Sequence, residues 1–183
     1  MLKIIGGALL GAVVALFAVW KTAGSLAFTE RVSPFSVEET VARIQQNVEA
    51  SGNGWSLSGL RNPIKPLQAD GSDALPVLMI EACSTKYSGP ILRNDDVRYL
   101  SLLMPCKISV YKKSDGKVYI GTMNAGLIGS LFGSQVGEIM EKVVADQQNF
   151  LIMDPSKPAP PMILPKSGGS GGGGAGGGSA GGC

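Results

Sequence analysis

The stretch VLMIEACSTKYSGPILRNDDVRYLSLLMPCKISVYKKSDGKVYIGTM, residues Val77 to Met123, decides the fold. Val77 to Ile80 is apolar without alternation, the pattern of a strand covered on both faces. Glu81 interrupts that run two residues before Cys83; it faces solvent at a sheet edge or pairs with a cation such as Lys107. Lys107 to Lys112 and Lys117 to Thr122 alternate apolar with polar residues around Ser114-Asp115-Gly116. Asp-Gly supplies the left-handed backbone geometry of a tight hairpin turn. Between the two apolar runs, Ser88 to Tyr99 has room for a short helix after Pro90.

The flanking segments complete this centre. Ser36-Val37-Glu38-Glu39 has the form of a capping box, with Ser36 accepting from the N3 amide and Glu39 reaching back to the Ser36 amide. Val37, Val41, Ile44 and Val48 then repeat at helical spacing, and Gly52 and Gly54 end the helix. Leu26 to Val32 reads as a first strand stopped by Pro34, and Trp55 to Leu60 as a half-buried strand. Asn62 to Pro76 holds three prolines and no sustained period, so it reads as loop. Ala125 to Phe132 fits a short helix broken by glycine. Ser134 to Phe150 fits a longer one, with Ser134 as its cap and Val136, Ile139, Met140, Val143, Val144 and Phe150 on one face. The expectation is an α+β domain over residues 26–153, a small sheet with helices packed on one face.

Composition narrows the chemistry. The 183 residues include no histidine, which removes Ser-His-Asp and Cys-His catalysis and histidine-ligated zinc or haem. A formal charge of +2 without any dense basic cluster argues against a nucleic-acid partner. Nucleotide-binding glycine loops and the common hydrolase motifs are missing, and Asp95-Asp96 reads as solvated charge rather than a metal site. No cofactor is expected. Of the three cysteines, Cys83 and Cys106 each fall at a strand boundary. They are packed small hydrophobes, a disulfide, or a reactive thiol pair.

Both ends differ from the centre. Ile4 to Trp20 is an uncharged run of 17 residues between Lys3 and Lys21. As a helix it would be about 26 Å long, at the short end for crossing a ~30 Å hydrocarbon core. Residues 1–25 therefore read as a retained membrane anchor in preference to a cleaved signal peptide with its site at Ser25-Leu26-Ala27. Gly7, Gly11 and Ala15 make a small-residue row suited to close helix packing, so a protein partner in the membrane is expected there. The domain is expected outside the cytoplasm, in the periplasm or beyond. Residues 154–183 form an arm. Asp154 to Lys166 holds five prolines and reads as a stiff extended spacer, and Ser167 to Cys183 is glycine, serine and alanine tipped by a cysteine.

Two resemblances bear on function. SPFSVEETVARIQ, the apolar strand ending Ala82-Cys83, Leu103-Met104-Pro105-Cys106 before a strand, and the Asp115-Gly116 turn together resemble the bacterial domain-of-unknown-function 302 family over about Ser33 to Phe150. Ser84-Thr85 stands where that family has Asn-Pro. The resemblance implies a compact α+β fold, with a homodimer as an expected assembly, and no established reaction. The ending Gly181-Gly182-Cys183 is similar to the mobile tail of the sulfur carrier in thiosulfate-oxidising systems, whose cysteine bears covalent sulfur. That similarity implies a membrane-anchored, non-catalytic thiol carrier with its cargo on Cys183. The alternatives are an accessory subunit of a membrane complex, a module that binds a small ligand without covalent chemistry, or a thiol enzyme using Cys83 and Cys106.

Overall fold

The computed structural model describes residues 11–15, 17, 19 and 24–164. Most of the expected membrane helix and all of the glycine-rich arm lie outside those residues. No helix among the described residues is long and apolar enough to cross a membrane.

Five strands make one antiparallel sheet: β1 (Phe28–Ser33), β2 (Trp55–Arg61), β3 (Val77–Ser84), β4 (Cys106–Lys112) and β5 (Val118–Met123). Their spatial order is β1-β5-β4-β3-β2. The β4–β5 hairpin turns through Gly116, whose φ of 81° is the left-handed value the Asp-Gly pair predicts. β1 closes the far edge by pairing with β5, Phe28 opposite Met123 and Ser33 opposite Val118. On the other side β2 pairs with β3 through a bulge between Leu57 and Gly59.

Helices cover one face. α1 (Val37–Ala50) starts at Ser36, whose hydroxyl accepts from the Glu39 amide. The expected reciprocal bond is replaced by another: the Glu39 carboxylate turns along the helix to Arg43, 2.8 Å away. Val37, Val41, Ile44 and Val48 pack on Ile80, Ala82, Ile108, Val110, Val118 and Ile120 of the sheet. Asn62 to Pro76, expected as loop, contains one short helix, α2 (Lys65–Ala69). α3 (Thr85–Leu92) follows β3 directly and carries Pro90 inside it, and a 3-10 helix (Arg98–Leu103) leads to a cis Met104–Pro105 bond. α4 (Ala125–Ser130) and α5 (Ser134–Phe150) complete the layer. Ser134 does not cap α5. Gly133, at φ 89°, occupies the cap position and makes no side-chain bond.

One half-buried acceptor ties this layer together. The Asp146 carboxylate on α5 accepts from Trp55 Nε1 at 2.8 Å and from the Tyr87 hydroxyl at 2.9 Å. Trp55 and Tyr87 are buried and meet edge-to-face, as do Trp55 and Phe150. Burial foremost, with that hydrogen bond second, raises the Tyr87 hydroxyl above its ordinary pKa.

The proline-rich segment that composition marks as a free spacer is held on the domain. The buried Gln45 amide donates to Ile163 O at 2.7 Å and accepts from Ile163 N at 2.8 Å, so one side chain pairs with a backbone as a neighbouring strand would. Arg43 donates to the carbonyls of Asp154 and Lys157, and Asn47 to those of Phe150 and Ile152. Met153 and Met162 pack against the core. α1 thus supplies the side-chain donors that satisfy backbone carbonyls of this segment.

Candidate functional site: a groove on the open sheet face

Strand alternation sends Ile80, Ile108, Val110 and Ile120 into the helical layer, so Lys107, Ser109, Tyr111 and Gly121 stand on the other face. There they floor a groove of about 510 Å³, within the roughly 300–1,000 Å³ range of small-molecule sites. Its walls are Phe28 from the start of β1, Leu102 and Leu103 from the 3-10 helix, Pro105, and Met123 from the end of β5. Gly121 gives the floor its depth. A Cβ there would stand 3.3 Å from the Tyr111 ring and 3.9 Å from Ser109 Cβ.

The two ends of the floor differ electrostatically. At the hairpin end, Glu30 accepts from the Tyr111 hydroxyl and pairs with Lys113 Nζ at 2.6 Å. Lys113 first, and Tyr111 second, lower the Glu30 pKa. Burial pushes the Tyr111 phenol up to about 12, and its bond to Glu30 adds to the rise. At the walled end, Lys107 is exposed, its ammonium donating only to the carbonyl of Pro105 at 3.2 Å. No carboxylate among the described residues forms an ion pair with it. Glu81, opposite Lys107 in the ladder, is buried and turns instead to Arg61 Nε at 3.2 Å. Of the two roles open to Glu81, then, it pairs with a cation, and that cation is Arg61. The groove thus presents apolar walls and one cation without an acidic partner.

The residues singled out as chemical candidates sit elsewhere. Cys106 is a free thiol, and burial pushes its pKa up to about 11, so it is almost wholly protonated at neutral pH. It borders a gap of about 40 Å³ between the sheet and α3 and α5, which also touches Met104 and Met140. Ala82 is the residue opposite Cys106 in the ladder, and Cys83, next along β3, borders the same gap. Cys83 is a disulfide cysteine while Cys106 is free, so of the three readings open to the pair a Cys83–Cys106 bond is not made. Cys183 and Gly7 lie outside the described residues. Gly11 and Ala15 are exposed, with nothing near a Cβ placed on Gly11. Asp95 pairs with Arg98 on the surface, and no group of acidic or cysteine side chains able to hold a metal occurs among the described residues.

Sequence reading passed over Gly121, Tyr111 and Phe28. Their signal was slight: a glycine inside an otherwise β-branched and aromatic strand, where close approach of another group is the usual reason.

No curated protein matches the chain. A crystal structure of an uncharacterized conserved DUF302 protein from Bacillus stearothermophilus superposes with a TM-score of 0.59 at 20% identity. The match covers 68% of this chain and 94% of that one and shows a shared fold. The family model for domain of unknown function DUF302 matches residues 28–153, which runs from the first residue of β1 to the start of the strap over α1. The five-stranded sheet and its helical layer are thus the family's domain, and this chain belongs to the DUF302 family.

Proposed function

We propose that the domain is a non-catalytic binding module whose ligand is a small anionic amphiphile, held in the groove on the open sheet face. One observation carries the reading: apolar walls from Phe28, Leu102, Leu103 and Met123 converge on Lys107, a cation with no acidic partner among the described residues. An apolar body against the walls and an acidic head at Lys107 satisfy both. Catalysis has little to support it, because the one described free thiol is held protonated and the Glu30–Tyr111–Lys113 cluster is already internally paired.

Calorimetric titration with decanoate and with decanol tests the proposal. Decanoate binds saturably, and Lys107→Gln weakens decanoate while leaving decanol unchanged. Absence of saturable binding by either compound refutes the groove as a site.

A second reading keeps the arm in view. The strap fixes the chain as far as Ile163, so a thiol at Cys183 would swing from a defined point on the domain surface, as a covalent carrier requires. Intact and peptide mass measurement on native, non-reduced protein decides it. Sulfur-mass adducts on the Cys183 peptide support a carrier. A Cys183 that stays unmodified in the presence of thiosulfate, whose outer sulfur can pass to the thiol with sulfite as leaving group, or one bonded to Cys83, excludes it.

A further inference from the structure

The groove opens at an apolar rim that the fold leaves uncovered. Leu102 is 85% exposed, Leu131 74% and Phe28 63%, and Leu26 and Leu127 are exposed beside them. They come from four separate places: the entry to β1, the 3-10 helix, α4 and the residue following α4. The fold gathers them at one end of the sheet, because Phe28 pairs with Met123 and α4 begins two residues later. The 3-10 helix is fixed there by Leu100, which is buried against Ile91 and Val136 and leaves Leu102 pointing out. Tyr99 meets Phe132 edge-to-face and widens the same surface. None of the rim residues is ionisable.

The chain that precedes the domain enters at this same end. Asn124 joins the two: its amide donates to Ala27 O at 2.8 Å and its side chain to Leu26 O at 3.0 Å, while its Oδ1 accepts from the Leu127 amide at the start of α4. Upstream lies the apolar run Ile4 to Trp20, of which Val13, Val14, Phe17 and Val19 are exposed where described. A run of that composition partitions into hydrocarbon, and its exit point sets which side of the domain faces the lipid.

We infer that the rim formed by Leu26, Phe28, Leu102, Leu127 and Leu131 rests on a lipid bilayer, with the mouth of the groove turned to the headgroup region. Single exposed apolar residues on a soluble surface are ordinary; five gathered at the exit of an apolar segment form a continuous surface with it. Lys107 then stands just inside the rim, at a depth where a lysine ammonium reaches interfacial phosphate or carboxylate. The inference extends the groove reading by giving its ligand a source, but the two fail separately.

The test uses tryptophan reporters in the full chain reconstituted into phosphatidylcholine vesicles. Leu102→Trp and Leu131→Trp replace exposed side chains. Ser114→Trp, at the hairpin tip beyond the opposite end of β5, is the control. After subtraction of the parent signal from Trp20 and Trp55, the two rim reporters shift their emission to the blue and are quenched by lipids doxyl-labelled near the headgroup. The Ser114 reporter stays unquenched. Equal quenching of rim and hairpin reporters, or none at either, overturns the inference. So does a blue shift without lipid that grows with protein concentration, which would seat a second copy of the chain on the rim. Lipid-dependent quenching together with failed decanoate binding would keep the docking surface and remove the groove ligand.

Discussion

Replacing Gly121 with valine separates the groove from the fold. A Cβ at this position lies 3.3 Å from Tyr111 Cε1 and 3.6 Å from its hydroxyl. The first carbon therefore fits after a shift of a few tenths of an ångström. The two γ-methyl groups do not, and they drive the Tyr111 ring off the floor and break its bond to Glu30. That bond is exposed, so its loss costs little. Valine in place of a strand glycine offsets up to about 1 kcal/mol through strand propensity. Net stability then changes by less than about 1 kcal/mol in either direction. Binding changes far more, since the isopropyl group occupies the floor between Lys107 and the hairpin end. Affinity for decanoate falls at least about tenfold, or ~1.4 kcal/mol. Urea unfolding followed by tryptophan emission reads stability, and calorimetric titration reads binding. A variant with parental stability and parental affinity refutes the placement of the ligand over Gly121. A variant destabilised by several kcal/mol refutes the reasoning that the Tyr111 ring can move off the floor at little cost.

Asp146→Ala deprives the indole of Trp55 and the hydroxyl of Tyr87 of their shared acceptor and lowers unfolding free energy by about 2–4 kcal/mol in urea titration. Tyr87→Phe in that background then costs little more, because the bond is already gone. Gln45→Leu removes both bonds to Ile163, so limited proteolysis between residues 155 and 164 quickens at least about tenfold while the sheet core stays resistant. Tyr111 and Tyr87 both have folded pKa values above the ordinary tyrosine value of about 10. Their contribution to stability is complete below pH ~10 and is lost as pH rises, for Tyr111 through about 12. Thermal unfolding across that alkaline window falls less steeply in Tyr111→Phe than in the parent.

What the sequence made legible was local. The hairpin followed from Asp115-Gly116 between two alternating runs, and α1 and α5 from apolar residues at helical spacing. These signals lie within a dozen residues of one another. The groove was illegible for the opposite reason. Phe28, Leu102, Lys107 and Gly121 carry no shared pattern and meet only because β1 crosses to the edge beside β5. The two cysteines drew attention as the reactive residue type, yet one is held protonated and the other is disulfide-bonded. The prolines after Asp154 read as a stiff free spacer, yet the segment is held on the domain. Its partners, Arg43 and Gln45, sit on α1, more than a hundred residues earlier.

The position of β1 also orders the events of synthesis. Every backbone partner of this edge strand lies in β5. At ribosomal rates of ~5–20 residues per second, the roughly ninety residues between them delay that pairing by about 5–20 s. Throughout that interval β2, β3 and β4 can associate, while β1 waits beside the apolar segment that precedes it. Closure of the sheet is therefore the last strand pairing to form. It is also the step that builds the groove, since Phe28 joins its wall only when β1 docks. A nascent chain has no binding site until its final strand has found its first.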